Sequence, residues 1–273
     1  MFVCRTSHRK RGHATIATES KAPAVPEYIE SLDRGLRTLQ VLGAGGKPMS
    51  LSEVAKAVGL ARATARRILF TFQRGGFVES DGRLFALTPR VLSLASAYLS
   101  SNQLVAVLQP MIDQVATETR EVCSMAILDG EEAIFVARGS PARVFSAGID
   151  IGYRLPAFCT SVGRVLLGRL SNEALIDALY NAQRVRMTER TVLDPDRLTA
   201  IIAEDRAKGY SLVDREAEPD FRSIAVPVRR YDGAVIAAIN VGAHVDRISL
   251  DEMIARFLPS LKAAARTFQP LLL

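Results

Sequence analysis

The chain has 273 residues, 48% apolar and 23% charged, the balance of an ordinary globular protein with room for two domains. No apolar run reaches the roughly 18 residues of a membrane span, and Cys4, Cys123 and Cys159 are too few and too scattered for a disulfide framework or a zinc site. The formal charge of +6 is unevenly placed: residues 1–90 carry 15 Lys and Arg against 7 Asp and Glu, residues 91–273 carry 20 against 22.

Residues 1–25 lack periodicity, begin with the basic run Arg9-Lys10-Arg11 and read as a disordered basic arm. No apolar core follows that run, so no secretory signal is expected, and a reducing cytoplasm is the expected setting. Ile29, Leu32, Leu36 and Leu39 recur at helical spacing, and Gly43-Ala44-Gly45-Gly46-Lys47-Pro48 ends that helix. Ser50 precedes Glu53 by three residues, a capping-box start for a short helix that Gly59 terminates. A third helix is predicted over 62–74, with Ala65, Ile68, Leu69 and Phe72 on one face and Arg62, Arg66 and Arg67 off it. Phe77-Val78-Glu79, the turn Asp81-Gly82 and Leu84-Phe85-Ala86-Leu87 predict a hairpin of the kind that makes a wing.

The pattern therefore predicts an α+β chain with a winged helix-turn-helix over 26–88, a linker helix over 89–101 opened by Thr88-Pro89, and a second domain over 102–273. Within that domain, helices are expected over 104–121, 160–170, 172–181 and 195–208. Strands are expected over 122–128, 133–137, near 144–149, and over 222–228 and 234–241. Ser249 and Glu252 form a second capping box ahead of a last helix.

In a helix-turn-helix the second helix lies in the major groove of DNA with its N-terminal residues against the base edges. Arg62, Thr64, Arg66 and Arg67 stand at or near that end, and Arg83 follows the wing turn. Arginine forks onto guanine, threonine suits a phosphate or a thymine methyl, and the cationic first third suits a polyanion. A three-helix bundle with solvated arginines is the alternative, and charge alone also fits a solubilising tail.

Leu51-Ser52-Glu53-Val54-Ala55, Gly59-Leu60 and Ala61 to Leu69 resemble the N-terminal domain of the IclR-type transcriptional regulators. The resemblance continues through Leu155 to Leu167, Asp214-Arg215-Glu216, Arg222 to Val228 and Ala237 to Val241. It covers about residues 28–270. Tyr153-Arg154-Leu155-Pro156 and Arg164, where lysine is commoner, are most similar to the branch regulating protocatechuate and β-ketoadipate catabolism. The resemblance implies a GAF-like effector domain, a homodimer or homotetramer, and a palindromic operator on double-stranded DNA. Ala63 and Ala65 depart from the Ser and Val of many members, which removes a hydroxyl available to a phosphate, so the family's operator preference is not carried over.

Ser161, Val162 and Gly163 sit at the expected start of an apolar helix, where free N–H groups and the dipole favour an anion. A plain capped helix fits the same residues. The resemblance implies that a small carboxylate effector sits on Ser161 and Val162 with Asp214, Ser223 and Asn240 as polar partners. Val144, Ala147, Leu155 and Phe221 match the family's apolar wall, and Gly242 replaces a residue that is polar in some members.

Catalysis finds little support. The histidines are His8, His13 and His244, two of them in the arm, and Gly43 to Lys47 lacks the Ser or Thr of a phosphate loop. Glu216 and Glu218 read as solvated carboxylates on a polar loop. No enzyme activity, cofactor or metal is expected. A ligand-independent architectural DNA-binding protein is the competing function. It leaves the near-neutral domain of about 170 residues without a purpose.

Overall fold

Glu30 and Asp33 stand in the first turn of α1 (Glu30–Ala44), where the helix dipole favours carboxylates. In the computed structural model, which describes residues 28–101, 103–141 and 151–268, the helix stops before Gly46, a glycine at φ +59. Most of its regular apolar stripe faces outward: Ile29, Leu32 and Leu36 are exposed, Leu39 is half-buried against the core, and Gly35, Thr38 and Leu42 are buried. Thr38 tolerates burial because its hydroxyl donates to the Arg34 carbonyl at 2.8 Å.

A two-residue strand that the pattern does not announce, β1 (Met49–Ser50), leads directly into α2 (Leu51–Val58). The capping box closes as expected. Ser50 N–H donates to Glu53 Oε2 at 2.7 Å, and Glu53 N–H donates to Ser50 Oγ at 3.4 Å. Gly59, at φ 72, turns the chain into α3 (Arg62–Arg74). β2 (Val78–Ser80) and β3 (Leu84–Leu87) follow, and the sheet runs β1-β3-β2, antiparallel throughout. Asp81 holds the turn, its Oδ1 accepting the N–H groups of Arg83 (2.8 Å) and Leu84 (2.7 Å). Leu42, Val54, Leu69 and Val78 form the core of this unit.

Pro89–Val91 makes a single 3-10 turn before α4 (Leu92–Ser101), and the division between two compact units falls between Ser93 and Leu94. In the second unit α5 (Gln103–Thr119) precedes β4 (Val122–Asp129) and β5 (Glu132–Gly139). The strand expected near 144–149 lies outside the described residues. Then come β6 (Arg154–Pro156), a 3-10 turn (Ala157–Cys159), α6 (Ser161–Leu167), α7 (Asn172–Asn181), α8 (Pro195–Lys208) and β7 (Ser211–Asp214). β8 (Phe221–Arg229) and β9 (Val235–His244) form the central hairpin, and α9 (Leu250–Phe268) ends the description.

The sheet order is β6-β5-β4-β9-β8-β7, with every neighbour antiparallel. Strand alternation divides its two faces. Ile224, Val226, Ile239 and Val241 pack with Ile112 of α5 and Phe257 of α9. Ala225 and Ala238 pack with Val162 and Leu166 of α6. A third cluster joins the 3-10 turn to α7 and α8 through Phe158, Leu175 and Ile202. No helix among the described residues is long and apolar enough to cross a membrane.

Candidate functional site

Between α3 and the wing lies an open concavity of about 1300 Å³, lined by Arg62, Ala63, Arg66, Arg67, Phe70, Gln73, Gly82 and Arg83 among others. Ala65 and Leu69 fix α3 to the core, which turns Arg62, Arg66 and Arg67 outward by helical periodicity. These three and Arg83 are exposed, and none of the four has a carboxylate partner among the described residues. On α1, by contrast, Arg34 pairs with Glu30 and Arg37 with Asp33. The free arginines thus gather on one face, where a polyanion would meet them undiminished. Thr64 is not part of this face. It is half-buried and lines a separate groove with Leu32, Gly35 and Ile68.

The second unit contains a smaller cavity, of about 40 Å³, where the start of α6 meets the sheet. Six of the expected residues line it: Leu155, Ser161, Val162, Phe221, Ser223 and Asn240. Thr160 caps α6, its Oγ1 accepting the Gly163 N–H at 3.2 Å, which leaves the N–H groups of Ser161 and Val162 without a helical partner. Ser161 Oγ and Ser223 Oγ lie 2.8 Å apart and tie the helix to β8. Asn240 is 8% exposed, and its Oδ1 is a buried acceptor with no hydrogen-bond donor among the described residues. An acceptor left so costs free energy unless a donor reaches it.

Asp214 does not line this cavity. The register sets Val213 opposite Ser223 and Asp214 opposite Arg222, so Val213 faces the cavity and Asp214 the other side of the sheet. Arg190 and Arg215 bond Asp214 Oδ2 at 2.6 and 3.0 Å, and Arg222 Nε lies 3.0 Å from Oδ1. Burial raises the pKa of this carboxyl, but Arg215, Arg222 and Arg190 together hold it below the usual range. Gly242 acts through absence of bulk: a Cβ there would meet the Phe221 ring at 2.4 Å. Glycine therefore lets Phe221 lie close against β9. Val144 and Ala147 lie outside the described residues.

Sequence reasoning missed Phe135, Thr160, Val213, Ala217 and Glu218 of the lining. Val213 follows only from the pairing of β7 with Ser223, which no local pattern announces. Cys159 also lines the cavity, and burial first, then the charge of Glu216, push its thiol up to about 12.

Glu216 corrects an expectation. It is buried rather than solvated, and its Oε2 accepts from Arg164 Nη2 (2.7 Å) and from the Val192 N–H (3.1 Å). Arg164, 2% exposed, also donates through Nε to the Phe158 carbonyl at 2.9 Å. This pair ties α6 to the loop carrying Ala217 and Glu218. Gly163 seats the same helix, since a Cβ there would lie 2.2 Å from the Ala157 carbonyl oxygen.

Residues 31–82 match the family described as "IclR helix-turn-helix domain", and residues 96–269 match "Bacterial transcriptional regulator IclR C-terminal". A helix-turn-helix followed by such a domain defines a DNA-binding transcriptional regulator with an effector-binding domain. The chain belongs to the IclR family. It is 39% identical over 242 residues to the Pca regulon regulatory protein of Pseudomonas putida, covering 88% of this chain and 83% of that protein. A transcriptional regulator from Rhodococcus sp. RHA1 superposes with a TM-score of 0.76 at 40% identity, over 89% of this chain and 98% of that one. The inducer-binding domain of an Acinetobacter PobR double mutant, in complex with 3-hydroxybenzoic acid, superposes with a TM-score of 0.59 at 31% identity. That match covers 62% of this chain and 98% of the domain.

Proposed function

We propose that this regulator controls genes of aromatic-acid catabolism, of the protocatechuate and β-ketoadipate type, in response to a small aromatic carboxylate. The observation that carries its DNA-binding half is the set of free arginines, Arg62, Arg66, Arg67 and Arg83, around one concave face. Arg66 and Arg67 read base edges, and Arg62 and Arg83 hold the backbone. Thr64, half-buried beside α1, serves at most a flanking phosphate. Two copies on a palindromic operator match the two-fold symmetry of a homodimer, or of a homotetramer built from two. The working compartment is the cytoplasm, where the DNA is.

The effector half rests on the cavity at α6. The acid's carboxylate sits at the N–H groups of Ser161 and Val162, beside Ser161 Oγ and Ser223 Oγ. A hydroxyl on the ring donates to the orphaned Asn240 Oδ1. Leu155, Phe135 and Phe221 flank the ring. Two relatives support this choice of guest: one is named for the Pca regulon, and the other is a PobR domain bound to 3-hydroxybenzoic acid. The cavity of about 40 Å³ is far below the several hundred cubic ångströms of a ligand pocket, so the acid enters by moving a wall. The exposed Glu218 stands on that wall. Asp214 acts behind the sheet as a brace for Arg222, and Gly242 sets the Phe221 ring. Acid binding then shifts the population of DNA-binding arrangements through residues 89–101, which requires different affinities for the two states.

The test combines footprinting upstream of neighbouring genes with thermal melting against 3-hydroxybenzoate, 4-hydroxybenzoate and protocatechuate. An acid that binds the native state raises the melting midpoint and changes the footprint. A sequence-blind, salt-sensitive footprint with no shift by any acid returns the architectural alternative.

A further inference from the structure

The apolar side chains of α3 divide unequally. Ala65 and Leu69 are buried, Phe72 is half-buried against the core, and Ile68 is half-buried beside α1. Phe70 is 64% exposed and contributes to none of these contacts. It follows Arg67 by three residues, Arg66 by four and Ala63 by seven, so at 3.6 residues per turn all four share one strip. That strip faces the concavity toward Gly82 and Arg83 of the wing. A single exposed phenylalanine elsewhere would need no account. Here its neighbours along the strip are a methyl group and two guanidinium groups with no carboxylate partner among the described residues.

We propose that Phe70 is a base-reading residue whose ring packs on the C5 methyl of a thymine in the major groove, beside the base pairs met by Arg66 and Arg67. The inference rests on the reading that α3 enters the groove. The chemistry then selects the base. Adenine, guanine and cytosine present only hydrogen-bonding edges there, and thymine adds an apolar methyl. A ring set against the polar edges would strip them of water and return no hydrogen bond. Against the methyl it buries apolar surface on both sides.

The experiment uses the full-length protein and a duplex enriched by it from a random-sequence pool. Each thymine of that duplex is replaced in turn by deoxyuridine, which lacks only the methyl. At one thymine per half-site the replacement weakens wild-type binding about three- to fivefold, the worth of one buried carbon. Phe70→Ala binds the unmodified duplex about tenfold more weakly and is indifferent to deoxyuridine at that thymine. Its slope of log affinity against log salt stays at the wild-type value, because no phosphate contact is lost. Phe70→Leu recovers part of the affinity and of the methyl dependence. Full affinity in Phe70→Ala, or a loss with every deoxyuridine effect intact, overturns the inference. Arg66→Ala separates the two levels. If it also binds like wild type, or if the pool yields no enriched duplex, the groove reading itself falls. If it fails to bind while Phe70 shows no coupling to a methyl, only the role of Phe70 falls.

Discussion

Arg66 on α3 and Arg164 on α6 carry the same guanidinium to opposite ends. Arg66 is exposed and has no carboxylate partner among the described residues. Arg164 is 2% exposed, bonded to Glu216 at 2.7 Å and to the Phe158 carbonyl at 2.9 Å. A charge left unpaired at a surface remains available to whatever approaches. A charge sealed with its partner is spent on geometry, because either member alone would be stranded in a poor solvent. The difference separates an arginine proposed to meet DNA from one that shapes a cavity wall.

The comparison predicts its largest effect in the interior. Arg164→Met strands Glu216 and should cost about 3–5 kcal/mol of stability, read by urea unfolding. Adding Glu216→Gln should restore part of that loss; an unchanged midpoint in the single variant would show that water, not Arg164, satisfies Glu216. Next comes the surface. Arg62→Ala with Arg66→Ala should lower operator affinity at least about 30-fold, since a bidentate base contact at Arg66 is worth about 1–3 kcal/mol and a phosphate contact at Arg62 adds to it. The unfolding midpoint should move by no more than about 0.5 kcal/mol. Loss of the acid-induced melting shift in the same variant would contradict the division of labour.

Asn240→Leu should weaken the melting response to hydroxybenzoates about tenfold in acid concentration and leave acid-free DNA binding unchanged, because it removes a buried acceptor and no DNA contact. The smallest effect concerns acid stability. The Asp214 carboxyl is held below its usual range in the folded chain by its arginines. Its contribution is therefore present above the unfolded carboxylate pKa, about 4, and disappears as pH falls through the lower folded value. An acid titration of Asp214→Asn should show a shallower loss of stability over that window than wild type.

Local signals carried much of the fold. The two capping boxes, the Asp81-Gly82 turn and the continuous apolar runs of β8 and β9 on either side of Asp232-Gly233 involve residues within a few positions of one another, so a window of sequence holds all partners. Distant pairings were not readable in that way. β6 and β7 are short edge strands whose existence depends on β5 and β8. The burial of Glu216 depends on an arginine 52 positions away. For Asp214 the family resemblance pointed to the right strand, and only the register with β8 shows which of two adjacent residues turns toward the cavity. The stripe of Ile29, Leu32 and Leu36 showed a helix correctly but not which side of it the core would use, because Gly35 and Thr38 allow closer packing than leucine does.

Ser50 pairs with Leu84 of the wing while its hydroxyl and amide fasten the first turn of α2. Ser50 is thus one of the links by which the hairpin is tied to the helix-turn-helix. The wing strand and the start of α2 are thereby joined at the rim of the concavity that Ser50 lines with Arg62 and Arg83.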